Sequence, residues 1–279
     1  MFDTHCHLNF HSFEGNVESV IQEAFDAGMK HIVIPGTDVA SSKRAIEIAS
    51  LHKNIYAAVG IHPHHVYQFQ MSKSKYQINN EMKKIEELLT HEKVVAVGEI
   101  GLDKHYYEKT KYSEYQITTE FMTLQKEVFV RQINLAKKYK KSLILHNREA
   151  KPDFLDVLNN VWDSSLQGRA VFHCCEPDYE FIKYAQEHGI FIGVDGDVTY
   201  SQEKRKFATK VPLEMLVLET DSPFLLPEPY RSYPKEKKPL NTPERIKDIG
   251  IYIAGLKNDT QEAVFKKTTD NARRLFKLS

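Results

Sequence analysis

The sequence predicts an α/β protein folded as one (β/α)8-type TIM barrel over residues 1–279, distorted and carrying an extra C-terminal helix. Three observations carry this expectation. Short apolar runs alternate with amphipathic stretches from end to end, the runs number eight, and no Gly-, Ser- or Pro-rich linker divides them. Alternating β and helical patterns make a parallel sheet, and eight parallel strands close a barrel, typically within about 250 residues. A doubly wound open sheet is the competing arrangement. Against it, no Gly-rich phosphate loop follows the first strand, and ionisable residues end strands along the whole chain.

The strands are read from brief runs rich in Val and Ile that end in Gly, Pro or a polar residue. In order they are Phe2–His7, His31–Gly36, Ile55–His62, Val94–Gly101, Ser142–His146, Arg169–His173, Ile190–Val194 and Met215–Asp221. Between them lie helical patterns over Val17–Gly28, Ala40–Leu51, Asn80–His91, Thr118–Tyr139, Asp153–Val161, Asp178–Gly189 and Gln202–Lys210. Two more follow near Pro243–Leu256 and Thr260–Phe276; Pro243 suits a first helical turn, where its missing N–H is not needed. Two long loops stand out: Asp103–Thr118, and Asp221–Thr242 with its prolines and lysines. Loops of that length in a compact domain are usually functional or mobile.

Composition narrows the class. The chain carries 38 basic and 38 acidic side chains, is 27% charged and 41% apolar, and so has a globular profile. Zero net charge argues against coating nucleic acid with the whole surface, yet leaves a local basic groove open. No run approaches the roughly 18 apolar residues of a membrane span, and Asp3, His5 and His7 interrupt any signal-peptide pattern at the N-terminus. Neither a membrane association nor an obligate protein partner is expected. Three cysteines (Cys6, Cys174 and Cys175), an odd number with two adjacent, make no disulfide framework and favour a reduced, cytoplasmic setting.

The chemistry sits at the strand ends. The first strand ends His5-Cys6-His7, and residues two apart on a strand share a face, so both imidazoles point one way. Glu99 ends the fourth strand, His146 the fifth, His173 the sixth and Asp221 the eighth. In a barrel these carboxyl ends converge on the mouth. A lone strand-terminal histidine is ordinarily a hydrogen-bonded core residue. A His-x-His pair with histidines and carboxylates at matching points of other strands has no packing rationale. Imidazole plus carboxylate without thiolate suits Zn, Mn, Ni or Fe, or Mg where waters complete the shell. Cys6 and Cys174 fall on the opposite face from their histidine neighbours and read as small residues buried toward the helices. The runs Lys137-Lys138-Tyr139-Lys140-Lys141 and Lys204-Arg205-Lys206 read as solvated helix ends away from the mouth.

These residues carry a family resemblance. Phe2-Asp3-Thr4-His5-Cys6-His7-Leu8, Gly60-Ile61-His62-Pro63-His64, Val97-Gly98-Glu99-Ile100-Gly101-Leu102-Asp103, Leu145-His146-x-Arg148-x-Ala150, His173-Cys174 and Glu219-Thr220-Asp221-Ser222-Pro223 resemble the TatD family of metal-dependent deoxyribonucleases. Gln125-x-x-x-Phe129-x-x-Gln132 and Thr269-x-Asn271-x-x-Arg274-Leu275-Phe276 also fit, and the match runs in order along nearly the whole chain. The resemblance implies a distorted barrel of the amidohydrolase-like superfamily, two divalent metal ions (Zn, Mg or Mn), and phosphodiester hydrolysis of a DNA substrate, in DNA repair or degradation. An exonuclease acting on single-stranded DNA is the expected form. Carried over residue by residue, His5, His7, Glu99 and Asp221 would hold one metal, and Glu99, His146 and His173 the second, with Glu99 bridging. Two cations about 3.5–4 Å apart clamp a phosphate and activate a water, and Asp221 would double as ligand and base. His62, His64 and Arg148 are candidate substrate contacts; a surface salt bridge competes for Arg148, and simple solvation for His64.

Departures from the family pattern also carry expectations. Cys175-Glu176-Pro177 follows His173-Cys174 where an aromatic and a small residue are usual, placing an acid near the sixth loop. The Asp103–Gln125 segment is longer than usual and holds Tyr106, Tyr107, Tyr112 and Tyr115 among lysines, which could stack bases of single-stranded DNA. Packing of those tyrosines on the barrel rim is the preferred reading. Ser232 follows Arg231 where the family often has Gly, ahead of Asn241-Thr242-Pro243. Two other functions stay in view: a binuclear amidohydrolase cleaving a small-molecule C–N bond or lactone, and a barrel that binds metal or nucleic acid without catalysis. Amidohydrolases commonly bridge their metals with a modified lysine on the fourth strand, where this chain offers Glu99.

Overall fold

The computed structural model describes residues 1–72, 75–112 and 114–278. Strands β1 (Phe2–Asp3), β2 (His31–Pro35), β3 (Ile55–Val59), β4 (Val94–Asp103), β5 (Ser142–Arg148), β6 (Ala170–Phe172), β7 (Phe191–Val194) and β8 (Leu216–Leu218) form one eight-stranded sheet in sequential order. Every pairing is parallel. The seam between β1 and β8 is drawn together beyond the ladder by Thr4 N–H to Leu218 O (3.2 Å), Asp221 N–H to His5 O (2.9 Å) and a parallel bridge of Cys6 with Ser222. The sheet is thus a nearly closed (β/α)8 barrel, and the open-sheet alternative is set aside.

Helices α1 (Val17–Asp26), α2 (Val39–Leu51), α3 (Tyr67–Ser72), α4 (Lys75–Leu88), α5 (Thr119–Tyr139), α6 (Lys151–Val161), α7 (Tyr179–His188), α8 (Gln202–Lys210), α9 (Ile246–Lys257) and α10 (Gln261–Phe276) pass outside the strands or below them. Their starts follow from side-chain capping: Thr118, Asp178, Ser201 and Thr260 each accept a backbone N–H of the first turn of their helix, and Asp38 with Ser41 forms a reciprocal capping box. The third helical pattern is displaced from its expected Asn80–His91, because α4 starts at Lys75 and ends at Leu88.

The barrel interior explains why chemistry sits at one end only. Phe2, Val33, Ala58, Ala96, Ile144, Val171, Phe191 and Val217, one from each strand, form an apolar layer with Ala272, Leu275 and Phe276 of α10. The extra C-terminal helix therefore covers the amino ends of the strands. Asn271 Nδ2 ties it to Leu213 O and Leu216 O, both at 2.8 Å. The opposite, carboxyl end is left for polar side chains.

Candidate metal centre

Two buried glutamines of α5 set the ends of β3 and β4. Gln132 exchanges two hydrogen bonds with the Ile61 backbone (2.7 and 3.0 Å), and Gln125 exchanges two with the Asp103 backbone (both 2.9 Å). Each buried glutamine replaces a ladder partner, and so fixes the segments that carry His62 and Asp103. Gly101, at φ +153°, permits the close passage of β4 past β5, since a Cβ there would lie 1.8 Å from His146 O. Gly193 leaves room for the Glu219 carboxylate, which a Cβ would meet at 2.3 Å.

His5 and His7 lie past the end of β1, which is shorter than its expected span to His7. Their imidazoles still converge, with Nε2 atoms 3.1 Å apart. Glu99 Oε2 lies 3.5 and 3.7 Å from these two nitrogens, and Asp221 Oδ1 lies 3.7 and 3.5 Å from them. Donors about 2.1 Å from a common centre in a tetrahedron stand about 3.4 Å apart, so the separations of each carboxylate oxygen from the two imidazoles have the dimensions of a ligand cage. All these atoms offer lone pairs in a buried volume, an arrangement that a cation at their centre stabilises. These residues fit a divalent metal.

A second group abuts the first through Glu99. Its Oε1 faces His146 Nδ1 (2.7 Å), His62 Nε2 (3.6 Å) and His173 Nε2 (3.7 Å). His173 lies flat on His5, with ring centroids 3.4 Å apart, and its Nε2 is 3.9 Å from Asp221 Oδ1. His146 Nε2 turns to Asp103 Oδ2 at 3.4 Å, so that His146, His62 and Asp103 form a cluster of their own beside Glu99. All the histidines and carboxylates singled out at strand ends are thereby brought together.

Two carboxylates without an assigned role in the sequence reading complete the arrangement. Glu219 Oε2 accepts from His173 Nδ1 at 2.8 Å and from Cys174 N–H at 3.0 Å. Asp103 accepts from the Tyr107 hydroxyl (2.7 Å) and the His105 N–H (2.8 Å). Both stand inside the quoted motifs, but an acid that orients a ligand looks the same in sequence as a surface acid. Asp221 sits in the left-handed region at φ +49° and Cys174 at +43°, conformations costing roughly 1 kcal/mol or more that recur at functional sites.

Electrostatics divide the imidazoles. Burial pulls His5 down to about 4, helped by the neighbouring His173 charge, and burial likewise holds His62 well below its ordinary range. For His146, burial is outweighed by hydrogen bonds to Asp103 and Glu99, which raise it to about 9. For His173, burial is outweighed by the Glu219 carboxylate, and it rises to about 10. Asp103 falls to about 2, since the His146 hydrogen bond and charge overcome its burial. Raised histidines stabilise the metal-free fold fully below their ordinary 6.5, and that contribution is lost as pH rises through 9 and 10. The Tm of metal-free protein is therefore expected to fall between about pH 6.5 and pH 10. If these imidazoles hold an ion in place of protons, metal-loaded protein is expected to lose less over the same window in parallel thermal melts.

The candidate substrate contacts line the same cavity of about 650 Å³. Arg148 stands over the Tyr107 ring at 5.3 Å and donates to its hydroxyl at 3.1 Å. Among the described residues it has no carboxylate partner, which removes the salt-bridge reading. His64 hydrogen-bonds with Thr110 Oγ1 at 2.8 Å and packs on Tyr107, Tyr112 and Tyr115. The long loop thus does largely pack on the rim: Tyr115 is 4% exposed, and only Tyr106, at 58%, stands out. Residue 113 of that loop lies outside the described residues. Glu176 accepts from Asn147 Nδ2 and from the Glu149 N–H, so it braces the end of β5, and it lines the cavity as well.

Two expectations need correction. Cys174 is only half-buried and lines the cavity, because its left-handed backbone turns the chain at the end of β6. Lys204 is not a solvated helix end. It also lines the cavity, with Nζ 3.0 Å from Asp197 Oδ2 and 3.2 Å from Cys174 O. Its place on α8, which begins beside the mouth, was hidden by the uniform look of the lysine run.

The chain matches known proteins along nearly its whole length. Residues 2–277 match the family model described as TatD related DNase. A Bacillus subtilis protein named as an uncharacterized metal-dependent hydrolase is 34% identical over 281 residues, with both chains covered completely. The 3'-5' ssDNA/RNA exonuclease TatD of Escherichia coli K12 is 29% identical over 282 residues, again covering all of both. Among solved structures, a TatD homologue from Escherichia coli K12 superposes with a TM-score of 0.82 at 27% identity, covering 100% of this chain and 98% of its own. No helix of the described residues is long and apolar enough to cross a membrane.

Proposed function

The chain belongs to the TatD-related DNase family of metal-dependent hydrolases, and from that premise we propose that it is an exonuclease hydrolysing phosphodiester bonds of single-stranded DNA from the 3′ end. The observation that carries the reading is the convergence of His5 Nε2 and His7 Nε2, 3.1 Å apart, with Glu99 Oε2 and Asp221 Oδ1, each 3.5–3.7 Å from both nitrogens, beside a cavity that His7, Glu99 and Asp221 line. His5, His7, Glu99 and Asp221 would hold one divalent ion. Glu99, His146 and His173 would hold a second. The opposed faces of the Glu99 carboxylate, Oε2 toward the first group and Oε1 toward the second, support a bridging role. A bound pair of divalent ions supplies Lewis acidity toward phosphate and lowers the pKa of water.

The chain's own groups supply the rest. Asp221 would accept the proton of the attacking water, a reading supported by its Oδ1 bordering both groups. Glu219 fixes the His173 ring by accepting from Nδ1, leaving Nε2 toward the centre. Arg148 and His62 line the β3–β5 side of the cavity, where a cation and a ring N–H would orient a phosphate. Glu219→Gln keeps the shape but weakens the orienting bond, so a 10- to 100-fold loss of metal affinity or activity is expected, of order the usual effect of such partners. Metal titration of the variant checks it.

The function is tested with a single-stranded oligonucleotide labelled at either end. Chelator-sensitive shortening that leaves a ladder on the 5′ label supports the proposal. No products from protein shown to hold metal would refute it, and would favour hydrolysis of a small-molecule C–N bond or lactone.

A further inference from the structure

The loop after β8 presents a large aromatic side chain to solvent from an unusually fixed backbone. Phe224 is 52% exposed and lines the cavity beside His7 and Asp221. Its N–H donates to Asp221 O at 2.8 Å, and buried Asn241 Nδ2 donates both to Phe224 O and to Thr220 O. Asp221 and Leu225 on either side of it hold left-handed conformations, at φ +49° and +51°. Gly196 presses on the Leu225 carbonyl, which a Cβ would meet at 2.0 Å. Strain of this kind persists where surrounding structure enforces it, and clusters at ligand clamps.

The neighbouring rings divide the work. Phe10 lies flat on His7, with centroids 4.2 Å apart and planes 17° apart, and so supports a candidate ligand. Phe224 stands nearly at right angles to both, 6.2 Å from Phe10 and 6.3 Å from His7. About half of its surface is open to solvent. An exposed aromatic ring on a constrained backbone, next to a polar centre, matches how single-stranded nucleic acid is gripped, by an aromatic platform for the base and charge for the backbone.

We propose that Phe224 is the stacking surface for the base of the nucleotide whose phosphate sits at the candidate metal centre. The assignment rests on the nuclease reading above and adds the element that favours unpaired bases, because a base still stacked in a duplex offers no free face. Base–aromatic stacking tolerates every base, so little sequence preference follows.

The experiment compares two single-stranded oligonucleotides, alike except that one ends at its 3′ side in an abasic tetrahydrofuran residue. They are given to the metal-loaded wild type, Phe224→Ala and Phe224→Trp. Phe224→Ala is expected to lower kcat/KM on the normal strand by roughly 5- to 150-fold, the worth of one stacked base, mostly through KM. It should leave the abasic strand nearly unaffected, and Phe224→Trp should retain discrimination between the two. Equal losses on both strands would show that the ring merely organises the site, and would overturn the stacking assignment alone. Hydrolysis of neither strand by the wild type would overturn the nuclease reading together with it.

Discussion

Glu99→Ala is expected to reduce DNA hydrolysis by about three powers of ten or more while the barrel stays folded. Both oxygens of this buried carboxylate are committed, Oε2 to His5 and His7 and Oε1 to His146, His62 and His173. Removing it takes a donor from each half of the proposed centre. Metal-centred stabilisation of phosphoryl charge is worth several kcal/mol, and each 1.4 kcal/mol is about a factor of ten in rate. The fold should survive because the apolar layer from Phe2 to Val217 and the α10 side chains beneath it do not include Glu99. Rate, bound metal and circular dichroism on one preparation check this. Full activity would remove the site assignment.

Asp221→Asn is expected to cost about 10²–10⁴ in kcat, the range for losing a positioned general base. Asparagine is the informative replacement because the position lies at φ +49°, which Asn tolerates better than most residues, whereas Ala adds backbone strain of about 1–2 kcal/mol. Asp221→Ala should abolish hydrolysis and also lower Tm slightly; Asp221→Asn should keep Tm and lose rate. A variant with unchanged kcat in single-turnover measurements would exclude Asp221 as the base.

Much of this was legible in the chain itself. Eight alternating runs fixed the barrel, because a parallel strand buried on both faces must be apolar and must be separated by a crossover helix. Histidines and acids at the ends of those runs stood out because apolar packing gives no reason for them. Boundaries were less accurate where hydrogen bonds leave the ladder: β1 and β8 stop early, and their seam is completed by single bonds involving Thr4, His5 and Asp221. Glu219 and Asp103 were invisible as positioning groups because their roles depend on neighbours distant in sequence, His173 and His146. Lys204 and Cys174 depart from their local pattern for the opposite reason. Local pattern assigned each to a face that backbone geometry at φ +43° and the start of α8 overrides.

The proposed two-ion centre is tested most directly by titrating Mn, Mg or Zn into metal-stripped protein, reading bound metal per chain and oligonucleotide hydrolysis in the same samples. Two ions per wild-type chain are expected, with activity appearing as the second binds. Glu99→Ala should fall short of that occupancy and remain inactive. Full activity with no metal, or equal metal content and equal rate in Glu99→Ala, would contradict it.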